Sequence, residues 1–157
     1  MMNELALRQA LEKICSDLGW QVHIQPMDSY TLVICPLPND AHFSGVLFAM
    51  SSTAQRLIMY VAYRAKASQK RWEAMSELIT RINFGLLGGC FEMDSEQGEV
   101  RYRDGLLLIT PKVEIKLLKA LVATTLRDAM TYHPVIESVA AGHSPTQAIA
   151  DVEKHKV

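Results

Sequence analysis

The pattern of apolar and polar residues is clearest between Lys70 and Arg103, where a helical period gives way to a strand period. In the first half, apolar side chains recur every three or four positions, which predicts an amphipathic helix with one buried face. These side chains are Trp72, Met75, Leu78, Ile79, Ile82 and Leu86. Gly88 and Gly89 tolerate positive φ angles, so we expect the helix to end there and the chain to reverse.

Beyond Cys90 the period changes to two, which predicts a β-hairpin with a polar turn over 94–98. Its register follows from burial, because a slip of one residue would place an apolar side chain beside an arginine. The predicted pairs are Phe91 with Tyr102, Met93 with Val100, and Glu92 with Arg101. We expect this helix and hairpin to be the unit around which the rest of the chain is arranged.

Similar patterns define the remaining elements. The first helix is expected to follow the N-cap residue Asn3 and to end at Gly19. Alternation and β-branched content predict strands over 20–25, 30–35, 43–50 and 55–65. Asp104-Gly105 predicts a second turn, followed by an apolar strand over 106–110. Three helices complete the predicted order, over 113–130, from Pro134 to Ala141, and after Ser144.

This order predicts an α+β fold with an antiparallel sheet and helices packed on it. Written out, the order is α-β-β-β-(β)-α-β-β-(β)-α with a C-terminal helical tail. A chain of 157 residues has the size of one domain. Within it, we expect a core over 1–134 and a helical extension of the same domain over 135–157.

Composition narrows the class of function. A net charge of -1 leaves no basic excess for binding nucleic acid or an anionic membrane. No apolar run approaches the roughly 18 residues of a membrane span, and the acidic residues Glu4 and Glu12 are unlike a signal peptide. Cys15, Cys35 and Cys90 lie singly in apolar surroundings, a pattern that is typical of reduced, buried thiols. We therefore expect a cytoplasmic protein without nucleic-acid or membrane partners.

Residues that could support catalysis or metal binding are scattered along the sequence. The five histidines are ten or more positions apart, so their spacing predicts neither a metal site nor a cofactor. Cys90 could meet His133 in space, yet a thiol at the start of a strand is more typical of a core residue. The glycines between Gly85 and Gly89 follow a helix, whereas phosphate-binding loops precede one. We predict no catalytic residue.

Trp72, Met75 and Ile79 are the candidate partner or dimer interface, because aromatic residues and methionine are enriched at the centres of interfaces. The same stripe fits an ordinary core, and both interpretations stay open. A sheet with helices on one face leaves its other face or its edges to be paired or covered. A homodimer would satisfy that requirement.

The segment over 81–103 joins the helix end Arg81-Ile-Asn to the hairpin Phe91-Glu-Met-Asp to Gly98-Glu-Val-Arg-Tyr, and a turn, an apolar strand and a long helix follow. With these motifs it resembles the YbjN family of bacterial sensory-transduction regulators. The resemblance implies the fold of type III secretion chaperones, a dimeric α/β sandwich that holds client segments. It brings no catalytic residues.

The leading hypothesis is a non-enzymatic homodimer that binds a protein or peptide partner, as a regulator or a chaperone-like module. The alternative is a small-molecule-binding protein or an enzyme with a cavity between the sheet and the long helix, using Cys90 and His133. A third possibility is that the tail from Ser144 to Val157 covers the binding surface as a built-in pseudo-ligand. No cofactor is expected in the leading hypothesis.

Overall fold

A computed structural model describes residues 3–153 of the chain. It contains four α-helices, six strands and a short 3-10 turn over Gln69–Arg71 in that range. The helices are α1 (Glu4–Asp17), α2 (Trp72–Phe84), α3 (Ile115–Ala140) and α4 (Pro145–Glu153). The strands are β1 (His23–Pro26), β2 (Thr31–Pro36), β3 (Phe43–Ser51), β4 (Arg56–Lys66), β5 (Cys90–Met93) and β6 (Glu99–Leu107).

The six strands form one antiparallel sheet in the order β1-β2-β3-β4-β6-β5. Alternate side chains of β3 and β4, including Phe48 and Met59, are fully buried, because the helices pack against that face. The predicted α+β class is therefore confirmed. The three predicted pairs of the β5–β6 hairpin, among them Phe91 with Tyr102, are also confirmed.

Helix α1 begins as predicted, since the Asn3 side chain accepts a hydrogen bond of 3.1 Å from the Ala6 amide. Its buried side places Cys15 against Cys35 of β2, with the sulfur atoms 3.6 Å apart. The hydrogen bond with Cys35 and then burial raise the pKa of Cys15 above its usual range. That thiol therefore stays protonated and is a packing residue.

The predicted turn at Asp104-Gly105 and the separate strand over 106–110 are wrong. Strand β6 continues through both residues to Leu107, and Gly105 pairs with Ile58 of β4. A Cβ at Gly105 would lie 2.6 Å from the Leu57 carbonyl oxygen. The glycine therefore permits a close approach of two strands within the sheet.

The predicted helix break at Pro134 is also wrong, because α3 continues through it to Ala140. Proline has no N–H for the carbonyl of Met130, four residues earlier. The His133 ring nitrogen Nδ1 lies 2.8 Å from that oxygen and replaces the missing donor. The Tyr63 hydroxyl also donates to the neighbouring Ala129 carbonyl at 2.7 Å. Side-chain donors thus support the helix around its proline, and the predicted boundary between 134 and 135 falls inside one helix.

The C-terminal helix α4 begins as predicted, with the Ser144 hydroxyl accepting from the Gln147 amide at 3.2 Å. Ala148 and Ile149 are buried where α4 packs on α2 and α3. The described part of the tail therefore covers the helical layer and leaves the opposite face of the sheet open. Residues 154–157, which the predicted tail includes, lie outside the described range.

Candidate functional site

The face of the sheet that points away from the helices carries a continuous apolar band. Its side chains alternate with the buried ones, and hydrogen-bonded register places them in adjacent rows across β2, β3 and β4. Each is only partly buried in the single chain. The band consists of Leu32, Ile34, Leu47, Ala49, Ile58 and Tyr60, and we call it the open-face band.

Charged residues of β5 and β6 border the open-face band on one side. Glu92 accepts a hydrogen bond of 2.8 Å from Arg101 and forms an ion pair with Arg103, whose Nε is also 2.8 Å from the carboxylate. The guanidinium of Arg101 also lies 4.3 Å from the centre of the Tyr60 ring, within cation–π range. The border is therefore polar beside an apolar centre, which is the usual anatomy of a protein-binding surface, and Glu92 offsets part of the positive charge of its two arginines.

Cys90 lies at the far end of this border, where the Arg103 Nε donates to its sulfur at 3.2 Å. The hydrogen bond to Cys90 raises the pKa of Arg103. The negative charge of Glu92 also raises it, and together these effects outweigh the lowering of the pKa by burial. The arginine therefore stays charged. Cys90 alternates with buried Phe91, so it faces away from the helices.

A shallow depression of about 360 Å³ runs along the open-face band and reaches Arg101. It is wide and open to solvent, and no histidine, cysteine or carboxylate lines it. An open, apolar surface of this kind suits contact with another polypeptide.

The predicted interface residues lie on the other side of the sheet, in the helical layer. Met75 is fully buried and Ile79 is 9% exposed, so both belong to the core of the single chain. The Trp72 indole is half-buried and donates to the Ala67 carbonyl at 3.0 Å, directly against Gly98. Their participation in a partner interface stays a prediction.

The structure separates the predicted pair of Cys90 and His133. Cys90 lies on the open face, whereas His133 lies on α3 and its ring centre is 3.9 Å from that of His42. Glu137 completes this group, with its carboxylate oxygen 2.9 Å from His42 Nδ1. The ligand atoms of these three residues lie within 4.8 Å of one another.

The edge strand β5 is partly closed by the end of α2. The Asn83 side chain donates to the Phe91 carbonyl at 3.0 Å and accepts from the Phe91 amide at 2.8 Å. An asparagine thereby occupies the place of a neighbouring strand at one residue. This contact gives a physical role to the asparagine of the Arg81-Ile-Asn sequence.

Two functional features escaped the sequence analysis. The signal for the open-face band was present, because β2, β3 and β4 are apolar at both alternating positions where a solvated face would be polar. The His133 and Glu137 pair has the four-residue spacing of one helix face. The sequence analysis missed this pair because it predicted a break in the helix before Pro134, between the two residues.

No described helix has the length and apolarity needed to cross a membrane. No curated protein sequence matches the chain significantly. Solved structures that share its fold include the following two. One, titled "Crystal structure of YbjN, a putative transcription regulator from E. coli", has 12% identity and a TM-score of 0.54, covering 85% of this chain and 90% of that chain. The other, the ExsC–ExsE complex, has 12% identity and a TM-score of 0.51, covering 85% of this chain and 95% of that chain.

These neighbours confirm the predicted chaperone-like fold class. The family model for YbjN, described as "Putative bacterial sensory transduction regulator", matches residues 7–138. That match extends from α1 almost to the end of α3 and includes every strand of the sheet. The chain therefore belongs to the YbjN family.

Proposed function

We propose that this protein is a non-enzymatic, protein-binding regulator that acts as a homodimer through the open-face band. The observation that carries the proposal is an apolar surface across three central strands that none of the described helices covers. Membership of a family of sensory-transduction regulators supports a regulatory role. The ExsC–ExsE structure supports partner binding by this fold, since it contains a complex.

A second copy of the chain is the proposed occupant of the open-face band. Two such bands are self-complementary in a two-fold dimer, because each copy presents the same apolar centre and the same polar border. Burial of Leu47, Ile58 and Tyr60 would remove apolar area from water without leaving an unpaired charge at the centre. The border arginines would remain solvated at the rim.

Sedimentation velocity at tens of micromolar protein tests this arrangement. We expect the wild type to sediment as a dimer and Leu47→Glu as a folded monomer, because a carboxylate at the centre of the band would lose its hydration on association. Gln9→Glu is the matched control, since it adds the same charge on exposed α1 and should leave the dimer intact. A wild type that is monomeric throughout would contradict the dimer.

The occupant of the open-face band requires a separate experiment, because a regulator can bind its partner with or without self-association. A photo-crosslinking residue at Ile58 should capture a second copy of the chain in native cells, and one at Gln9 should not. Mass spectrometry identifies the adduct. Capture of a different protein alone at position 58 would contradict dimerisation through the band.

A second candidate is binding of an apolar small molecule in a groove of about 370 Å³ between the segment after β6 and the start of α3. Leu7, Leu108 and Leu118 contribute to its apolar lining, and Lys112 and Glu114 are its ionisable residues. This composition favours binding over catalysis. Native mass spectrometry of protein purified from its own cells should show an added mass that Leu117→Trp removes by filling the groove. An unmodified wild-type mass would eliminate this candidate.

A further inference from the structure

Three potential metal ligands come together on the helix-covered side of the sheet, where the loop before β3 meets α3. His42 belongs to the loop, and His133 and Glu137 lie one turn apart on the helix. Their side chains are partly exposed, with His42 at 34% and Glu137 at 40%. An ion from solvent can therefore reach the group. Its position is independent of the open-face band.

The loop that carries His42 is held in place by hydrogen bonds. The Asp40 carboxylate accepts from the amides of His42 and Phe43, both at 2.8 Å. Arg64 of β4 donates to the carbonyls of Leu37, Asp40 and Phe43. The His42 backbone is thus positioned before any ligand arrives, which lowers the entropic cost of binding.

The proline in α3 determines that Nδ1 of the His133 ring bears a proton. Met130 has a carbonyl oxygen that lacks its helical partner because residue 134 is proline, and a carbonyl can only accept a hydrogen bond. The Nδ1 of His133, 2.8 Å away, must therefore carry the proton. In the neutral form of the ring, Nε2 is then the nitrogen with the free lone pair. Metal-ligating histidines are typically held in this way, with the second ring nitrogen donating to a carbonyl or a carboxylate.

The separations of the ligand atoms fit a single ion after small adjustments. All three lie within 4.8 Å of one another, and the His42 Nδ1 and Glu137 oxygen are 2.9 Å apart. Ligand atoms around a tetrahedral zinc ion, each about 2.1 Å from the metal, are about 3.4 Å apart. Reaching that geometry requires rotation of these partly exposed side chains. Two imidazoles and one carboxylate favour zinc and similar borderline ions over Mg²⁺ or Ca²⁺.

We propose that His42, His133 and Glu137 bind one divalent transition-metal ion of the zinc type, which joins the β2–β3 loop to α3. Without metal, the His42 Nδ1–H donates a hydrogen bond to the Glu137 carboxylate. When the ion binds between the two groups, the neutral His42 ring takes its other tautomer, with its proton on Nε2 and the Nδ1 lone pair on the metal. The protein then supplies three ligands, and the remaining position is left for water or a residue of a partner.

Zinc titration of the full-length, reduced, metal-stripped protein tests this proposal, using competition with a chromophoric chelator. We expect one zinc ion per chain for the wild type and a loss of affinity of at least tenfold in each of His42→Asn, His133→Gln and Glu137→Gln. Zinc should raise the melting temperature of the wild type and leave that of the variants unchanged. Circular dichroism establishes that each variant is folded.

Two controls exclude other zinc ligands. His143→Gln removes an exposed histidine whose Nδ1 also contacts a carbonyl of α3, Ser138, but which lies outside the group. Cys90→Ser removes the partly exposed thiol. Both should bind zinc as the wild type does. Leu47→Glu should also retain zinc, so this result and the dimer test are independent.

Cobalt provides a direct view of the ligands. Co²⁺ bound to the wild type should give the visible absorption of a nitrogen and oxygen site, without the intense charge-transfer band of a thiolate ligand. Equal zinc affinity in the wild type and in the His42→Asn/His133→Gln double variant would overturn the proposal. Absence of one-to-one binding in the wild type would overturn it as well.

Discussion

Leu47 and Phe48 are neighbours in β3, and both are apolar, yet they meet opposite environments. Phe48 is fully buried under the helices, whereas Leu47 lies in the open-face band with Ile34 and Tyr60 as its neighbours across the strands. The covered face is stabilised by helices contributed from distant parts of the chain. The open face has the apolar composition of a core but no such cover. The difference identifies apolar surface that folding of the described chain leaves available for association.

The largest expected effect is the difference in unfolding free energy between alanine variants of Phe48 and Leu47. Phe48→Ala should lower the free energy of unfolding by about 3–5 kcal/mol, because it leaves a cavity beneath the helices. Leu47→Ala should cost less than about 1.5 kcal/mol in a single chain, since its side chain is already partly hydrated. Urea denaturation measures both values. Equal losses would mean that the two faces are equally packed, which would remove the distinction.

Protein concentration sharpens the same comparison. If two copies associate through the open face, the effect of Leu47→Ala on the urea midpoint should grow with protein concentration. Phe48→Ala should then show no greater concentration dependence than the wild type. A concentration-independent difference for Leu47→Ala would argue against association through this face.

Tyr63 tests how the covered face supports α3. Tyr63→Phe removes the hydroxyl that donates to the buried Ala129 carbonyl, so we expect a loss of about 1–3 kcal/mol in unfolding free energy. Tyr30→Phe is the control, because Tyr30 is 39% exposed beside the open face and should change stability by less than about 0.5 kcal/mol. Thermal denaturation compares them. A neutral Tyr63→Phe would show that α3 passes its proline without this hydrogen bond.

Arg71 tests the covering layer itself, where its side chain joins the start of α2 to the end of α3. It donates to the carbonyls of Val139 at 2.9 Å and His143 at 2.5 Å, where a cation is favourable. Arg71→Met should therefore cost about 1–2 kcal/mol in unfolding free energy. Lys70→Met, at the exposed adjacent position, should be nearly neutral. Similar urea midpoints for the two variants would contradict this role.

The smallest expected effect lies on the border of the open face. Glu92→Gln weakens the ion pairs with Arg101 and Arg103, but the solvated pairs should lose less than about 1 kcal/mol. Glu77→Gln, at the exposed i,i+4 pair with Arg81, provides the matched loss of charge. Urea denaturation should place both variants close to the wild type. A larger loss for Glu92→Gln would indicate that the border arginines hold the sheet together.

Local regularity explains which parts of the fold could be predicted. The β5–β6 register was predicted because a short turn and strict alternation leave only one pairing that keeps Met93 away from an arginine. The cap at Asn3 was predicted because its hydrogen bond reaches only three residues. The prediction at Gly105 was wrong, since the sequence alone does not distinguish a glycine in a turn from a glycine in close contact with a neighbouring strand. Contacts with β4 alone distinguish them.

The candidate site was likewise predictable from the sequence only in part. The residue types of the open-face band were visible in the strands, but which face the helices would leave uncovered was not. Trp72 illustrates the difficulty, because its indole fits an interface pattern and is instead bonded to Ala67 within the chain. The pairing of His42 with His133 joins residues that are far apart in sequence. This contact could not be expected from a predicted helix that ended at residue 130, because His133 and Glu137 then lay outside it.

The sequence by itself determined the α+β class, the antiparallel hairpin and the family resemblance, because each follows from short periodic patterns. Tertiary structure alone decided that α3 continues through Pro134, since the Tyr63 hydroxyl that helps to support it comes from a distant strand. It also decided which apolar face is covered and which histidines meet. These outcomes depend on contacts between residues separated by tens of positions, which no local period encodes.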